Sequence, residues 1–282
     1  MTLNCKGNLL DLSIPRVMGI LNITPDSFYD GGKYKNESDI ISQVKNMLTN
    51  GATFIDVGAY SSRPGAAHVD EKEELARIIP IIKLLVNTFP DILLSIDTFR
   101  SSVADECLNL GAAMINDISA GNLDPEMLAI VGKHRVPYIM MHMRGTPNSM
   151  QGKTNYENLL GEILYYFSEK VALARSMGIN DIIIDPGFGF AKTLEQNYEI
   201  LKKFNLLHHL ELPVLTGISR KSMIYGLLDS SPAEALNGST ALHMYALTKG
   251  SQILRVHDVK EAMECIQLFK AIKGFDKSQE PI

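Results

Sequence analysis

Cysteine is scarce. The three in 282 residues, Cys5, Cys107 and Cys265, lie far apart, without metal-ligand or redox spacing. A disulfide framework is therefore excluded, and reduced thiols in a cytoplasmic protein are expected. Long hydrophobic runs are also missing. No apolar stretch approaches the roughly 20 residues that cross a bilayer, so no membrane association is expected. The first ten residues lack the basic and then apolar pattern of a signal peptide. Positive charge is not in excess, at a net -5, so no basic face invites nucleic acid. Nor does a Pro/Ser-rich linker or a shift in composition divide the chain, which reads as a single domain.

What the chain does have is alternation. Short apolar runs recur at 16–21, 53–57, 92–96, 112–115, 138–141, 181–184, 213–218 and 251–256, as expected of strands buried on both faces of a parallel sheet. Helical stretches lie between them, at 39–50, 70–89, 101–110, 124–131, 155–177, 222–228 and 259–272. Their ends carry the usual signals: Gly51, Gly111 and Gly178 follow helices, Pro90 stops one, and Pro125 sits in a first turn. Eight β-then-α units form either a closed (β/α)8 barrel or an open doubly wound sheet, and the length and even count favour the TIM barrel. Residues 1–12 are expected to cap the barrel from below, and 274–282 to form a flexible tail.

In such barrels the strand ends build the active site. Followed to their ends, the runs deliver Asn22, Asp97, Asn116 with Asp117, His142, Asp185, Ser219 to Lys221, and Arg255 with His257. Several have plainer readings. Asp97 could cap a helix, residues 116–117 and 185–187 could be turns, and His142 reads best as a satisfied core residue. Arg220 and Lys221 open a helical segment, where the macrodipole disfavours cations, so an anionic or electron-rich ligand is expected nearby. Arg255 and His257 are two apart on the last strand and precede a helix start at Asp258, the usual phosphate corner of a barrel. The loop at 19–32 (Gly-Ile-Leu-Asn-Ile-Thr-Pro-Asp-Ser-Phe-Tyr-Asp-Gly-Gly) and that at 60–66 (Tyr-Ser-Ser-Arg-Pro-Gly-Ala) are crowded with functional groups. The residues alone point to a barrel enzyme with a phosphorylated polar substrate.

Together with 95–98 (Ser-Ile-Asp-Thr), 115–118 (Ile-Asn-Asp-Ile), 185–190 (Asp-Pro-Gly-Phe-Gly-Phe), 217–222 (Gly-Ile-Ser-Arg-Lys-Ser) and 255–258 (Arg-Val-His-Asp), the first loop resembles the dihydropteroate synthase family over nearly the whole chain. The resemblance implies a transferase of folate biosynthesis and a target of sulfonamides. Its members join 6-hydroxymethyl-7,8-dihydropterin diphosphate to 4-aminobenzoate with Mg²⁺, as homodimers. It implies a pterin pocket of Asp97, Asn116, Asp185 and Lys221. Asn22, Ser62, Arg63, Arg255 and His257 would hold the diphosphate, with Asn22 as the metal ligand. Phe28, Ser61, Ser62, Pro64, Phe190, Lys221 and Ser222 would meet aminobenzoate. The catalytic set it implies is Asn22, Arg63, Lys221, Arg255 and His257.

One departure stands out. Many members carry Gly-Glu-Ser-Thr-Arg-Pro-Gly in the second loop, where this chain has Ala-Tyr-Ser-Ser-Arg-Pro-Gly at 59–65, so Tyr60 replaces the acid. Activity is expected to survive. A related pterin-binding methyltransferase would not need the corner of Arg255 and His257, and a silent paralogue would not keep every polar group of the motifs.

Overall fold

The structure is a computed structural model and describes residues 1–23, 29–30, 33–34, 37–60, 69–147 and 149–274. The apolar runs form eight parallel strands: β1 (Arg16–Asn22), β2 (Phe54–Gly58), β3 (Leu94–Asp97), β4 (Met114–Asp117), β5 (Tyr138–Met141), β6 (Ile182–Asp185), β7 (Leu215–Thr216) and β8 (Ile253–Val256). Their order is β6-β5-β4-β3-β2-β1-β8-β7. A parallel bridge between Ile184 and Val214 joins β6 to the segment entering β7, with Ile184 N donating to Pro213 O at 3.0 Å. That seam closes the ring, so the expected (β/α)8 barrel is what forms.

Each strand is followed by a helix: α1 (Glu37–Thr49), α2 (Glu71–Thr88), α3 (Ser101–Asn109), α4 (Met127–His134), α5 (Leu159–Ser176), α6 (Leu194–Lys202), α7 (Leu236–Thr248) and α8 (Val259–Lys273). Local chemistry starts them. The Asp70 side chain accepts from Glu73 N at 2.8 Å, and three acids occupy the first turn of α2, where the helix dipole favours them. Two elements differ from expectation. The segment at 222–228 holds only the single turn Ser222–Tyr225, and the seventh helix is α7, further along. Helix α6 has a clear signal, the capping box of Thr193 and Gln196, that hydrophobic periodicity alone does not reveal.

Strand parity positions the site. Val17, Ile55, Leu94, Ile115, Tyr138, Ile184, Val214 and Leu254 face outward and bury against the helices. Met18, Phe54, Met114, Ile139, Ile183, Leu215 and Ile253 face inward and fill one apolar layer at the lower end of the barrel. Beneath that layer packs an antiparallel hairpin, Thr2–Cys5 with Asn8–Asp11, through Leu3, Cys5 and Leu12. Side chains alternate along a strand, so the next inward residue lies two positions on. Those residues are Ile20, Asp56, Asn116, Met141, Asp185, Gly217 and Arg255, and Ser95 leads likewise to Asp97. A dry layer thus supports a polar one. Among the described residues, no helix is long and apolar enough to cross a membrane.

Candidate active site

The polar layer divides into two connected groups. On one side Arg255, from β8, reaches across the barrel to β2 and β3. Its Nε donates to Asp56 Oδ2 at 2.6 Å and its Nη2 to Asp97 Oδ2 at 2.6 Å. Asn116 Nδ2, from β4, donates to the same Asp56 oxygen at 3.0 Å. Gly58 leaves space for this cluster, since a Cβ there would sit 3.3 Å from Asp97 Cβ. Burial would lower the Arg255 pKa, but Asp56 and Asp97 hold it well above its ordinary value. Burial pushes the Asp97 carboxyl up to about 7 against the pull of Arg255, with Asp56 adding to the rise.

On the other side, Asp185 ends β6 and Lys221 follows β7. Asp185 Oδ1 accepts from Gly187 N at 2.8 Å. A Cβ on Gly217 would lie 3.7 Å from Asp185 Oδ2 and 3.9 Å from Lys221 Nζ, so this glycine keeps the space between acid and base open. Lys221 Nζ donates to Phe188 O and lies 4.8 Å from the centroid of the Phe190 ring. Burial lowers the Lys221 pKa to about 8, opposed by Asp185. Burial raises the Asp185 pKa, opposed by Lys221. The nearby wall is apolar: Ile118, Met141, Met143 and Met150 are buried, with Phe99 and Phe190 packed against them. An apolar slot floored by acids, an amide and a lysine suits a flat ring with several N–H groups, because a carboxylate accepts two parallel hydrogen bonds.

Other candidates separate by position. Asn22 closes β1 and is half-buried. Hydrogen bonds link His257 to Ser219: Nδ1 and Oγ lie 3.2 Å apart, and the backbone N donates to that oxygen at 3.2 Å. Arg255 and His257 therefore leave the same strand end, but the first turns into the barrel and the second toward the loop after β7. Ser222 is exposed at the rim. Phe28, Ser61, Ser62, Arg63 and Pro64 lie outside the described residues.

Arg220 is a scaffold cation. Its guanidinium makes a two-point ion pair with Asp258, at 2.8 Å for each bond, and donates to Pro232 O and Ala233 O. The four-residue turn after Lys221 also carries little dipole, so the expected conflict between cations and a helix start does not arise. Asp117 is likewise structural. It faces outward and accepts from Ser119 N, Ser119 Oγ, Gly121 N and Tyr138 Oη.

Sequence reasoning missed Asp56, the lone acid in Phe54–Gly58, because that run reads as core. Strand parity places it two residues after Phe54, but only once the packed structure shows that Phe54 faces inward. It also missed Lys192, a buried lysine beside the 185–190 motif.

Among the described residues, no group of three His, Cys, Asp or Glu side chains could hold a metal ion. The hard amide oxygen of Asn22 is a sparse donor set. It fits an Mg²⁺ that arrives on a diphosphate and keeps phosphate oxygens and waters, not one held in a protein cage.

Comparison with known proteins decides the family. The model of the pterin binding enzyme family matches residues 18–257. The chain belongs to the dihydropteroate synthase family. The dihydropteroate synthase of Escherichia coli is 43% identical over 273 residues, covering 96% of each chain. The solved dihydropteroate synthase of Yersinia pestis, in complex with a sulfonamide drug, superposes with a TM-score of 0.91 at 43% identity, covering 97% of this chain and 100% of that one. The dihydropteroate synthase of Xanthomonas albilineans, in complex with 7,8-dihydropteroate, gives a TM-score of 0.87 at 35% identity, with 98% and 100% coverage. The match to the family model begins in β1 and ends just past β8, so it spans the whole ring of strands that builds the site.

Proposed function

We propose that this chain condenses 6-hydroxymethyl-7,8-dihydropterin diphosphate with 4-aminobenzoate, giving 7,8-dihydropteroate and diphosphate in folate biosynthesis. The observation that carries this reading is the polar layer itself: Asp97, Asn116, Asp185 and Lys221 converge beside an apolar wall. Asp185 accepts from the pterin ring N–H and its exocyclic amine, and Lys221 donates to the ring carbonyl or a ring nitrogen. Asp97 and Asn116 hold the remaining edge.

The reaction breaks the C–O bond to diphosphate, which leaves with the electron pair. The arylamine nitrogen then bonds to that carbon and loses a proton to solvent. The amine is neutral at pH 7, so no strong base is needed; stabilising the departing charge dominates. Arg255, His257 and Asn22, at the strand ends, hold the diphosphate in this reading, and the same role is assigned to Ser62 and Arg63 of the second loop. Asn22 would hold an Mg²⁺ that arrives with the diphosphate, and the metal would supply further charge neutralisation. Phe190, Lys221 and Ser222 form the aminobenzoate pocket and exclude water, and the same role is assigned to Phe28, Ser61, Ser62 and Pro64 outside the described residues. The protein is a cytoplasmic homodimer in this reading. Tyr245, Leu268 and Ile272 on α7 and α8 are exposed apolar groups available to a second copy.

Purified protein supplied with both substrates and Mg²⁺ forms dihydropteroate, and chelation of the metal suppresses the reaction. Absence of product with metal present would overturn the assignment.

A further inference from the structure

Lys192 is buried, yet it belongs to none of the groups that face the substrate pocket. Its ammonium faces four acceptors: His142 Nδ1 at 3.0 Å, Gly187 O at 3.0 Å, Phe190 O at 2.9 Å and, at a longer 3.4 Å, His142 O. The loop they share is demanding. Gly187, Gly189 and Ala191 all have positive φ, at 71°, 81° and 50°. A Cβ on Gly187 would fall 2.2 Å from His142 O, so the loop crosses tight against the end of β5.

Side chains hold this backbone from several directions. Besides the two carbonyls bound by Lys192, Phe188 O accepts from Lys221 and Ala191 O from Tyr156 at 2.9 Å. Gly187 N donates to Asp185 Oδ1, and Gly189 N to Asn197 Oδ1 at 2.7 Å. The loop is therefore bonded directly to both members of the acid and base pair in the pocket.

We propose that Lys192 is a positioning residue: through the 187–191 loop it sets the Asp185 carboxylate and the Lys221 ammonium at the spacing that the pterin ring requires. It rests on the pterin-binding reading. The imidazole partner suits the role. Burial, with the charges of Lys192 and Arg144, drives the His142 pKa to about 2, so the ring stays neutral and Nδ1 remains an acceptor. Three aromatic rings fix that imidazole, those of Tyr156, Tyr166 and Phe167, with Tyr166 edge-on at 4.9 Å. Burial lowers the Lys192 pKa to about 7, opposed by Asp185 and reinforced by Lys221 and Arg144. An expensive buried cation kept within one loop of the pocket is placed for geometry, since a packed apolar side chain would serve stability as well.

Calorimetry with 6-hydroxymethyl-7,8-dihydropterin tests this, with thermal melts to control for folding. Lys192→Met, which keeps the length and removes the donors, weakens binding about tenfold in a folded protein. His142→Leu, which removes the imidazole acceptor and keeps the three carbonyls, weakens it about threefold and carries the test should Lys192→Met not fold. The decisive readout is coupling. If Lys192 acts through Lys221, the losses of Lys192→Met and Lys221→Met are not additive in the double variant. Wild-type affinity in folded variants, or full additivity, would overturn the inference while leaving the proposed function intact. A wild-type protein that binds no pterin would remove both.

Discussion

Arg255 Nη2 lies 2.6 Å from Asp97 Oδ2, so the cation that closes the last strand is already matched by an acid across the barrel. Asp56 takes the guanidinium Nε at the same distance. These contacts give Arg255 two jobs. It holds Asp56 and Asp97 in place, and in the proposed site its remaining donors serve the diphosphate, since a guanidinium carries five N–H groups.

Removing Arg255 should therefore separate into two effects. Asp56 is fully buried, and Arg255→Ala leaves it without its cation, at a cost of about 3 kcal/mol in unfolding free energy. Adding Asp56→Asn returns more than half of that stability, because the uncompensated charge is gone. Binding of the pterin diphosphate stays weak in both variants, whereas a pterin lacking the diphosphate loses much less. Denaturant melts and calorimetry read the two effects independently. Equal losses for the two ligands would count against a diphosphate role.

Pterin affinity should depend on pH as a narrow bell. Burial raises Asp97 to about 7 under the charges of Arg255, Asp56, Glu74 and Asp117, and lowers Lys221 to about 8 under those of Asp185, Arg255 and Asp97. In the proposed site ionised Asp97 accepts from the ring, so affinity should rise as it deprotonates. Charged Lys221 donates to the ring there, so affinity should fall as it deprotonates. The optimum lies between about 7 and about 8, with limbs that belong to the coupled cluster and not to single residues. The pterin without diphosphate is the proper probe, since its affinity is free of phosphate titration. In Asp97→Asn the acid limb becomes shallower; an unchanged acid limb would assign that titration elsewhere.

Asp117 offers the contrast to its neighbour Asn116. Four donors converge on its buried carboxylate, and none belongs to the pocket. Asp117→Ala orphans them and should cost about 3 kcal/mol of stability. Tyr138→Phe removes one donor and should cost about 1 kcal/mol. Pterin affinity of the folded Tyr138→Phe variant should stay within about twofold of wild type, as expected for groups outside the pocket. A tenfold loss there would show that the outward network shapes the site.

The difference between Asn116 and Asp117 also marks where sequence reasoning stops. The alternation of apolar runs and capped helices specified the barrel, because burial on both faces of every strand leaves little choice of sheet. The ends of the runs specified the rim. Which polar residue at each end points inward is a matter of parity, and parity needs a strand whose inner face is known. Met18 and Phe54 reveal that face only once the hairpin is packed beneath them. Asp56 was hidden for that reason. Arg220 and Lys221 were indistinguishable as neighbouring cations; Asp258, 38 residues away, claims the first. Lys192 was unreadable because its partners, His142 and two loop carbonyls, come together only by tertiary folding.

Gly187 gives the sharpest local test. Its φ of 71° already disfavours an L side chain, and an added Cβ would meet His142 O at 2.2 Å. The colliding atom is backbone, so no flexible side chain can move aside to relieve it. Gly187→Ala must either displace the end of β5 or push the loop outward, carrying Gly187 N away from Asp185 Oδ1. The expected cost is about 3 kcal/mol or a displaced loop, and in either case pterin affinity falls by at least about tenfold. Gly178 is the control. It also has positive φ, at 82°, but an added Cβ meets nothing within 4 Å. Gly178→Ala should cost only about 1 kcal/mol and leave pterin affinity unchanged, because strain without collision stays local. Melts and calorimetry on the two variants compare them directly. Similar affinities in both would mean that the close crossing at Gly187 does not shape the pocket.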